Sequence, residues 1–281
     1  MLAQRYDELR VKDDDEIWQY NCLECGGGCC FNADVLVAPY DVWRIMHNKT
    51  ITKRLGIKTT NDLYHPEKGR PLLNLYIGEQ SHLPVASINN MELSDDLSLC
   101  PFAAPVLVAK SKAELKKILK KDFDKSLFFR TPDGIPAIFC GIQEEKPIIC
   151  KAFPLGRMGR NNVDEDKLPE MKYVKMDTER CDKFRIKNTC VTVKEFIKNK
   201  DLEKDYVMSD LVYALYDRIK RLGVSDNLRS MIGNILYDFD NLRSGRPRTF
   251  QELVQIIHYT FDTAPKRRDK EEEKDADKQG S

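Results

Sequence analysis

The sequence predicts an α+β fold, in which a small irregular core with short strands, organised by a metal, is followed by a helical C-terminal region. Three observations predict it. Cysteines and glycines crowd between Cys22 and Cys30, and cysteines recur at Cys100, Cys140, Cys150 and Cys181. Short apolar runs punctuated by Pro, Gly and Asn follow the first cluster, as strands in a loop-rich region do. From Thr192 to about Phe261 apolar residues recur at helical spacing.

The elements follow in order. Residues 1–20 predict a helical lead-in, with Leu2, Tyr6, Leu9, Ile17 and Trp18 available for packing. Asp34–Ala38 is a short apolar run that reads as a strand. Pro39-Tyr40-Asp41 then opens a helix carrying Val42, Ile45 and Met46, because proline suits a helix's first turn. Leu72–Ile77 and Leu83–Ile88 read as strands, and Lys112–Lys121 as a short helix with a solvated lysine face. Thr131-Pro132-Asp133-Gly134 predicts a hairpin turn between Leu127–Arg130 and Ala137–Cys140, which would bring Cys140 to a strand end. Three helices follow, carrying Val207–Leu222, Leu228–Leu242 and Phe250–Phe261, the first two separated by Gly223-Val224-Ser225-Asp226. The expected organisation is a cysteine-cluster metal-binding domain over 1–200, a helical region over 201–263 and a disordered charged tail over 264–281.

Composition narrows the function. The chain has 281 residues, enough to bury a core unaided, with 41% apolar and 32% charged residues. A formal net charge of +1 supplies no field that would draw it to nucleic acid or anionic lipid. No apolar run approaches the roughly 20 residues a spanning helix needs, and Met1–Glu16 lacks the apolar stretch of a signal peptide. A cytoplasmic location is therefore expected. In that compartment thiols stay reduced, and cysteines at motif spacing are ligands or catalysts more often than disulfides.

The first cluster reads Cys22-Leu-Glu-Cys25-Gly-Gly-Gly-Cys29-Cys30 and the second Cys140-Gly-Ile-Gln-Glu-Glu-Lys-Pro-Ile-Ile-Cys150. Thiolates are soft, charged donors whose crowding is unfavourable unless a metal neutralises them, and zinc and iron–sulfur clusters are the usual occupants. A C-x2-C pair lets one tight turn aim two sulfurs at one ion. Gly26, Gly27 and Gly28 let the backbone bend so that Cys29 and Cys30 return to the same point. The order C-x2-C-x3-C reverses the C-x3-C-x2-C run of radical-SAM enzymes, and the second cluster lacks the CxxC of a zinc ribbon. Candidate ligands are Cys22, Cys25, Cys29, Cys30, Cys100, Cys140, Cys150 and Cys181; Cys190 is the spare.

At these residues the chain resembles the zinc- or iron-chelating cysteine-cluster family of the YkgJ type. Cys25-Gly26 and Cys29-Cys30 match the family's first motif and Asp41-Val42-Trp43-Arg44-Ile45 its helix. The run from Cys140 through Glu144, Pro147 and Cys150 to Phe153-Pro154 matches its last motif, and Cys181 with Thr192–Phe196 its closing segment. The resemblance spans roughly residues 20–205. The chain departs from the pattern in carrying CGGGCC, in Gln143 for a tyrosine, and in Lys146 and Lys151 for arginines.

The resemblance implies a metal centre and extends distantly to the flagellin lysine-N-methylase, whose cysteines are thought to hold an iron–sulfur cluster. Three functions stay open. The first is a metal-binding protein holding a 4Fe–4S cluster, favoured over zinc by many sulfurs and few histidines. The second is an iron–sulfur-dependent protein-modifying enzyme, with Glu144, Glu145, Tyr40 and Arg157 as candidate groups that are also ordinary surface residues. The third is a structural zinc module for binding a protein partner. His47, His65, His82 and His258 lack ligand spacing, and Gly26-Gly27-Gly28 does not open a helix as a nucleotide loop would.

Overall fold

The computed structural model describes residues 10–11, 16–20, 27–79, 81–104, 138–160, 170–176, 179–242 and 247–263, with isolated positions at 109, 111, 113, 114, 117 and 245. Its strands are β1 (Arg10–Val11), β2 (Glu16–Tyr20), β3 (Leu36–Val37), β4 (Leu73–Ile77), β5 (Pro84–Ile88), β6 (Met91–Ser94), β7 (Leu97–Leu99), β8 (Leu155–Arg160), β9 (Glu170–Lys175) and β10 (Arg185–Thr192). Its helices are α1 (Pro39–His47), α2 (Lys49–Leu55), α3 (Ile148–Ala152), α4 (Val193–Asn199), α5 (Glu203–Arg221), α6 (Asp226–Tyr237) and α7 (Phe250–Thr263). The architecture is α+β.

The strands form four small antiparallel sheets, in the orders β1-β9-β8, β10-β2, β3-β5-β4 and β6-β7. Strands β3, β4 and β5 fall on the apolar runs that predicted them. The helical lead-in is corrected where it is described: Glu16–Tyr20 is a strand, pairing Trp18 with Cys190 and Glu16 with Thr192. Ile17, Trp18 and Tyr20 are strand-favouring side chains, and their partner comes from the far end of the cysteine region, beyond any local periodicity. Ile17 does pack, fully buried. Residues 1–9, the Pro132–Gly134 turn, most of Lys112–Lys121 and the tail 264–281 lie outside the described residues, as do Cys22 and Cys25.

Helix α1 begins at Pro39, where a missing N–H costs nothing. Its third residue, Asp41, accepts a hydrogen bond from Ala38 N at 3.0 Å. Asn48 ends α1 and opens α2, its Oδ1 accepting from Thr50 N and Ile51 N. Thr192 and Glu195 close a reciprocal cap on α4, Thr192 N donating to Glu195 Oε2 at 2.9 Å and Glu195 N to Thr192 Oγ1 at 3.2 Å. The turn from α5 to α6 passes through Gly223 at φ 56°, a left-handed conformation that glycine adopts without strain.

One apolar core runs through most of the molecule. It joins Ile17 and Val37 to Val42, Ile45 and Ala86, and continues into Phe196, Leu215, Ile232, Leu236 and Ile257 of the C-terminal helices. The helical region thus shares its core with α1 and β5. A satellite core of Leu93, Leu99, Ala103 and Ile138 lies beneath the cysteine loops, with Cys30 and Phe31 packed against it. Among the described residues no helix is long and apolar enough to cross a membrane.

Candidate metal centre

Five cysteines share one neighbourhood, four of them brought there by backbone hydrogen bonds between three loops. Cys29 and Cys30 sit in the 3-10 turn Gly28–Cys30, entered through Gly27 at φ 73°. A Cβ on Gly27 would stand 2.2 Å from the carbonyl oxygen of Ile138, so only glycine lets this turn lie against the segment leading to Cys140. Cys100 N donates to Cys30 O at 2.9 Å, and Phe31 bridges to Leu99. The Cys100 loop is tied in turn to the Cys140 loop, with Ala103 bridging Cys140 and Gly141 N donating to Phe102 O at 2.7 Å. Cys140 therefore sits in an isolated bridge.

Cys150 is delivered by a different device. It lies on α3, which is held by a buried acid on α1: Asp41 Oδ1 accepts from Ile148 N at 2.9 Å and from Arg44 Nη2 at 2.8 Å. The same Arg44 nitrogen donates to Lys146 O at 2.8 Å, and Arg44 Nη1 reaches Glu145 at 3.5 Å. Lys151 on α3 pairs with Asp205 of α5 at 2.8 Å and donates to Asp201 O. Asp41 is 1% exposed, and burial pushes its carboxyl above the usual range while Arg44 pulls it back. The two matched motifs, Asp41-x-x-Arg44 and Glu145-Lys146-Pro147-x-x-Cys150-Lys151, are thus one clamp.

The thiols feel one another. Cys30 is raised by its hydrogen bond to Cys29, then by burial, then by Cys29, Cys100 and Cys140 as neighbouring charges. Burial pushes Cys100 up to about 12, and Cys140 and Cys29 add to it. Cys140 and Cys150 are likewise raised, chiefly by burial, with Lys146 opposing. Several thiolates cannot coexist here without a positive partner, and a bound metal is the partner that such a donor set accepts. In donor chemistry the five sulfurs fit a thiophilic metal. Among the described residues no three His, Cys, Asp or Glu side chains stand in ligand geometry around one point.

The remaining predicted residues divide. Cys181 is buried in the 3-10 turn Glu179–Phe184 and is not among the leading influences on Cys30, Cys100, Cys140 or Cys150. Cys190 stands apart on β10, beside Glu16. The candidate catalytic groups have structural partners. Glu145 meets Arg44 and Asn48, and Glu144 reaches Arg54 at 3.8 Å. Tyr40 packs on Phe250 beneath Arg44, and Arg157 is forked onto Asp210. His47 stacks on Trp43, and His258 Nδ1 lies 2.8 Å from Arg218.

Two features of this region have no sequence signal. Asp205 is a buried acid in an otherwise ordinary helix start. A cavity of about 640 Å³ lies on the other face of α3, walled by Ile148, Ile149 and Ala152 and closed by tyrosines of α5 and α6. No family model, curated protein or solved structure matches the chain.

Proposed function

We propose that this chain is a metal-centre protein that holds an iron–sulfur cluster, of the 4Fe–4S type, through its cysteines. The observation carrying this reading is the convergence of Cys29, Cys30, Cys100, Cys140 and Cys150 from four separate segments, close enough to raise one another's pKa. A closed structural zinc needs only four ligands. The sulfur-only character of the neighbourhood favours iron–sulfur over a site completed by histidine.

Cys29, Cys100, Cys140 and Cys150 would hold the centre. Cys30, sharing a side-chain hydrogen bond with Cys29, would serve as a supporting sulfur beside that ligand. Bound, such a cluster supplies one-electron redox chemistry or a structural staple. The protein's part is to fix the loops and exclude water from Cys100, which is 8% exposed. Lys146 tempers the negative charge that the thiolates bring.

Anaerobic purification with metal and sulfide analysis tests the proposal. The expected result is iron with acid-labile sulfide and a broad absorption toward the blue. Cys100→Ser and Cys150→Ser should lose it and Cys190→Ser keep it. Stoichiometric zinc in a colourless protein would replace the cluster with a structural site. A chain carrying neither metal would overturn the reading.

A further inference from the structure

The cavity behind α3 is built for a ligand of its own. In α3, residues 148, 149 and 152 share one face, and residue 150 points the opposite way, as a 3.6-residue period requires. The helix therefore separates the cysteine neighbourhood from the cavity. The walls are mainly apolar, from Val37, Leu83, Ala86, Ile148, Leu155 and Val212. Leu36, Ile149 and Tyr213, exposed apolar side chains, border the same space and give it an apolar mouth. The volume of about 640 Å³ falls within the range of small-molecule sites.

The polar groups of the cavity are not all spent. Tyr216 OH donates to Pro84 O at 2.6 Å and Tyr237 OH to Val37 O at 3.3 Å. Ser209 donates to Asp205 O, and Asp41 is saturated by Arg44, Ala38 and Ile148. Tyr206 differs. It is 6% exposed, and its buried hydroxyl has no hydrogen-bond partner among the described residues. Arg157 lies over the Tyr206 ring at 4.5 Å, and its fork is held by Asp210, while its buried Nε–H is also without a partner. Burying such groups unpaired is unfavourable, a cost that a ligand accepting from them would remove.

A third donor lies beside them. In the β8–β9 ladder Arg157 faces Tyr173 and Leu155 faces Lys175. Residues two apart share a sheet face, so Lys175 is a diagonal neighbour of Arg157. It lines the cavity, and its charge also reaches Cys190, which lies beside Glu16. Asp210 already balances Arg157, and three donors, Tyr206 OH, Arg157 Nε and Lys175 Nζ, stand at this end of the cavity.

We propose that the cavity binds an aliphatic carboxylic acid, its chain along the apolar wall and its carboxylate at Tyr206, Arg157 and Lys175. The site is independent of whether the cysteines hold a metal.

The test is calorimetric titration of the full chain with decanoate and, separately, decanol. The wild-type protein should bind decanoate saturably. Tyr206→Phe should weaken it about tenfold, the equivalent of one buried hydrogen bond. Lys175→Met should weaken decanoate but leave decanol unchanged. Val212→Phe fills the cavity and should abolish both; Val85→Phe, on the same wall, makes the same test if Val212→Phe does not fold. Metal content and thermal melting of each variant keep the result separate from the metal centre. Absence of binding, or binding that filling the cavity leaves intact, would overturn the proposal. Equal affinity for decanol and decanoate, insensitive to Lys175→Met, would overturn the assignment of the charged end.

Discussion

At the scale of single residues, the decisive feature is a buried charge that holds two distant segments together. Asp41 accepts from Ile148 N and Arg44, and Arg44 goes on to Lys146 O. Removing Arg44 leaves the Asp41 carboxylate buried without its counter-charge, a situation that costs about 3–5 kcal/mol. Arg44→Met should therefore lose stability of that order in urea unfolding. Arg44→Lys should lie between, since lysine keeps the charge but not the fork. The double variant Asp41→Asn/Arg44→Met should be more stable than Arg44→Met, because the unpaired charge at position 41 is gone and Asn keeps an acceptor for Ile148 N, while Glu145 and Asp205 lose the same partner in both variants. A double variant no better than the single would show that packing, not charge, makes Arg44 matter. Both segments stood out in the sequence as short motifs. Their contact did not, because it joins residues about a hundred positions apart and rests on a backbone N–H that no side-chain pattern records.

At the scale of elements, legibility followed the range of the forces that decide each one. Helices α1 and α4–α7 carry their periodicity, caps and breaks locally, and the sequence showed them. Strand β2 takes its conformation from β10, a partner that no local spacing around Ile17 and Trp18 reveals. The cavity depends on tyrosines of α5 and α6 meeting β8 and β9, so the helical pattern showed only packing. The contact of α6 with β5 is of the same long-range kind. A Cβ on Gly233 would stand 2.6 Å from Cβ of Pro84, whose ring has little room to give. Alanine in a helix gains about 1 kcal/mol over glycine from propensity, whereas overpacking costs about 1–3 kcal/mol. At this separation the clash should win. Gly233→Ala is expected to destabilise the protein by about 1–2 kcal/mol, read as a lower melting temperature. A rise would mean that α6 can slide away from β5 at little cost.

At the scale of the whole molecule, the two cores divide the work unequally. The main core extends from Ile17 to Ile257 and binds the C-terminal helices to α1 and β5; the cysteine loops reach it through Cys100, Phe102 and Ile142. Their other support is a cluster of four buried residues, Leu93, Leu99, Ala103 and Ile138, flanked by Cys30 and Phe31. So small a cluster stabilises little at about 25 cal/mol per Å² buried, whereas a bound metal contributes its binding energy to the fold directly. If the proposed cluster is bound, hydrogen exchange on protein with and without it should therefore differ by region. Removing the metal should expose the amides of Cys30, Cys100, Ala103 and Gly141, whose hydrogen bonds stitch the loops together. It should leave Val42–Met46 and the middle of α5 and α6 protected. Loss of protection throughout would mean that the metal holds both cores at once, through the Asp41–Ile148 clamp that joins α1 to the Cys150 helix. Unchanged protection at Cys100 and Gly141 would mean that the loops are self-supporting and that the cysteines are gathered for a purpose other than holding the fold.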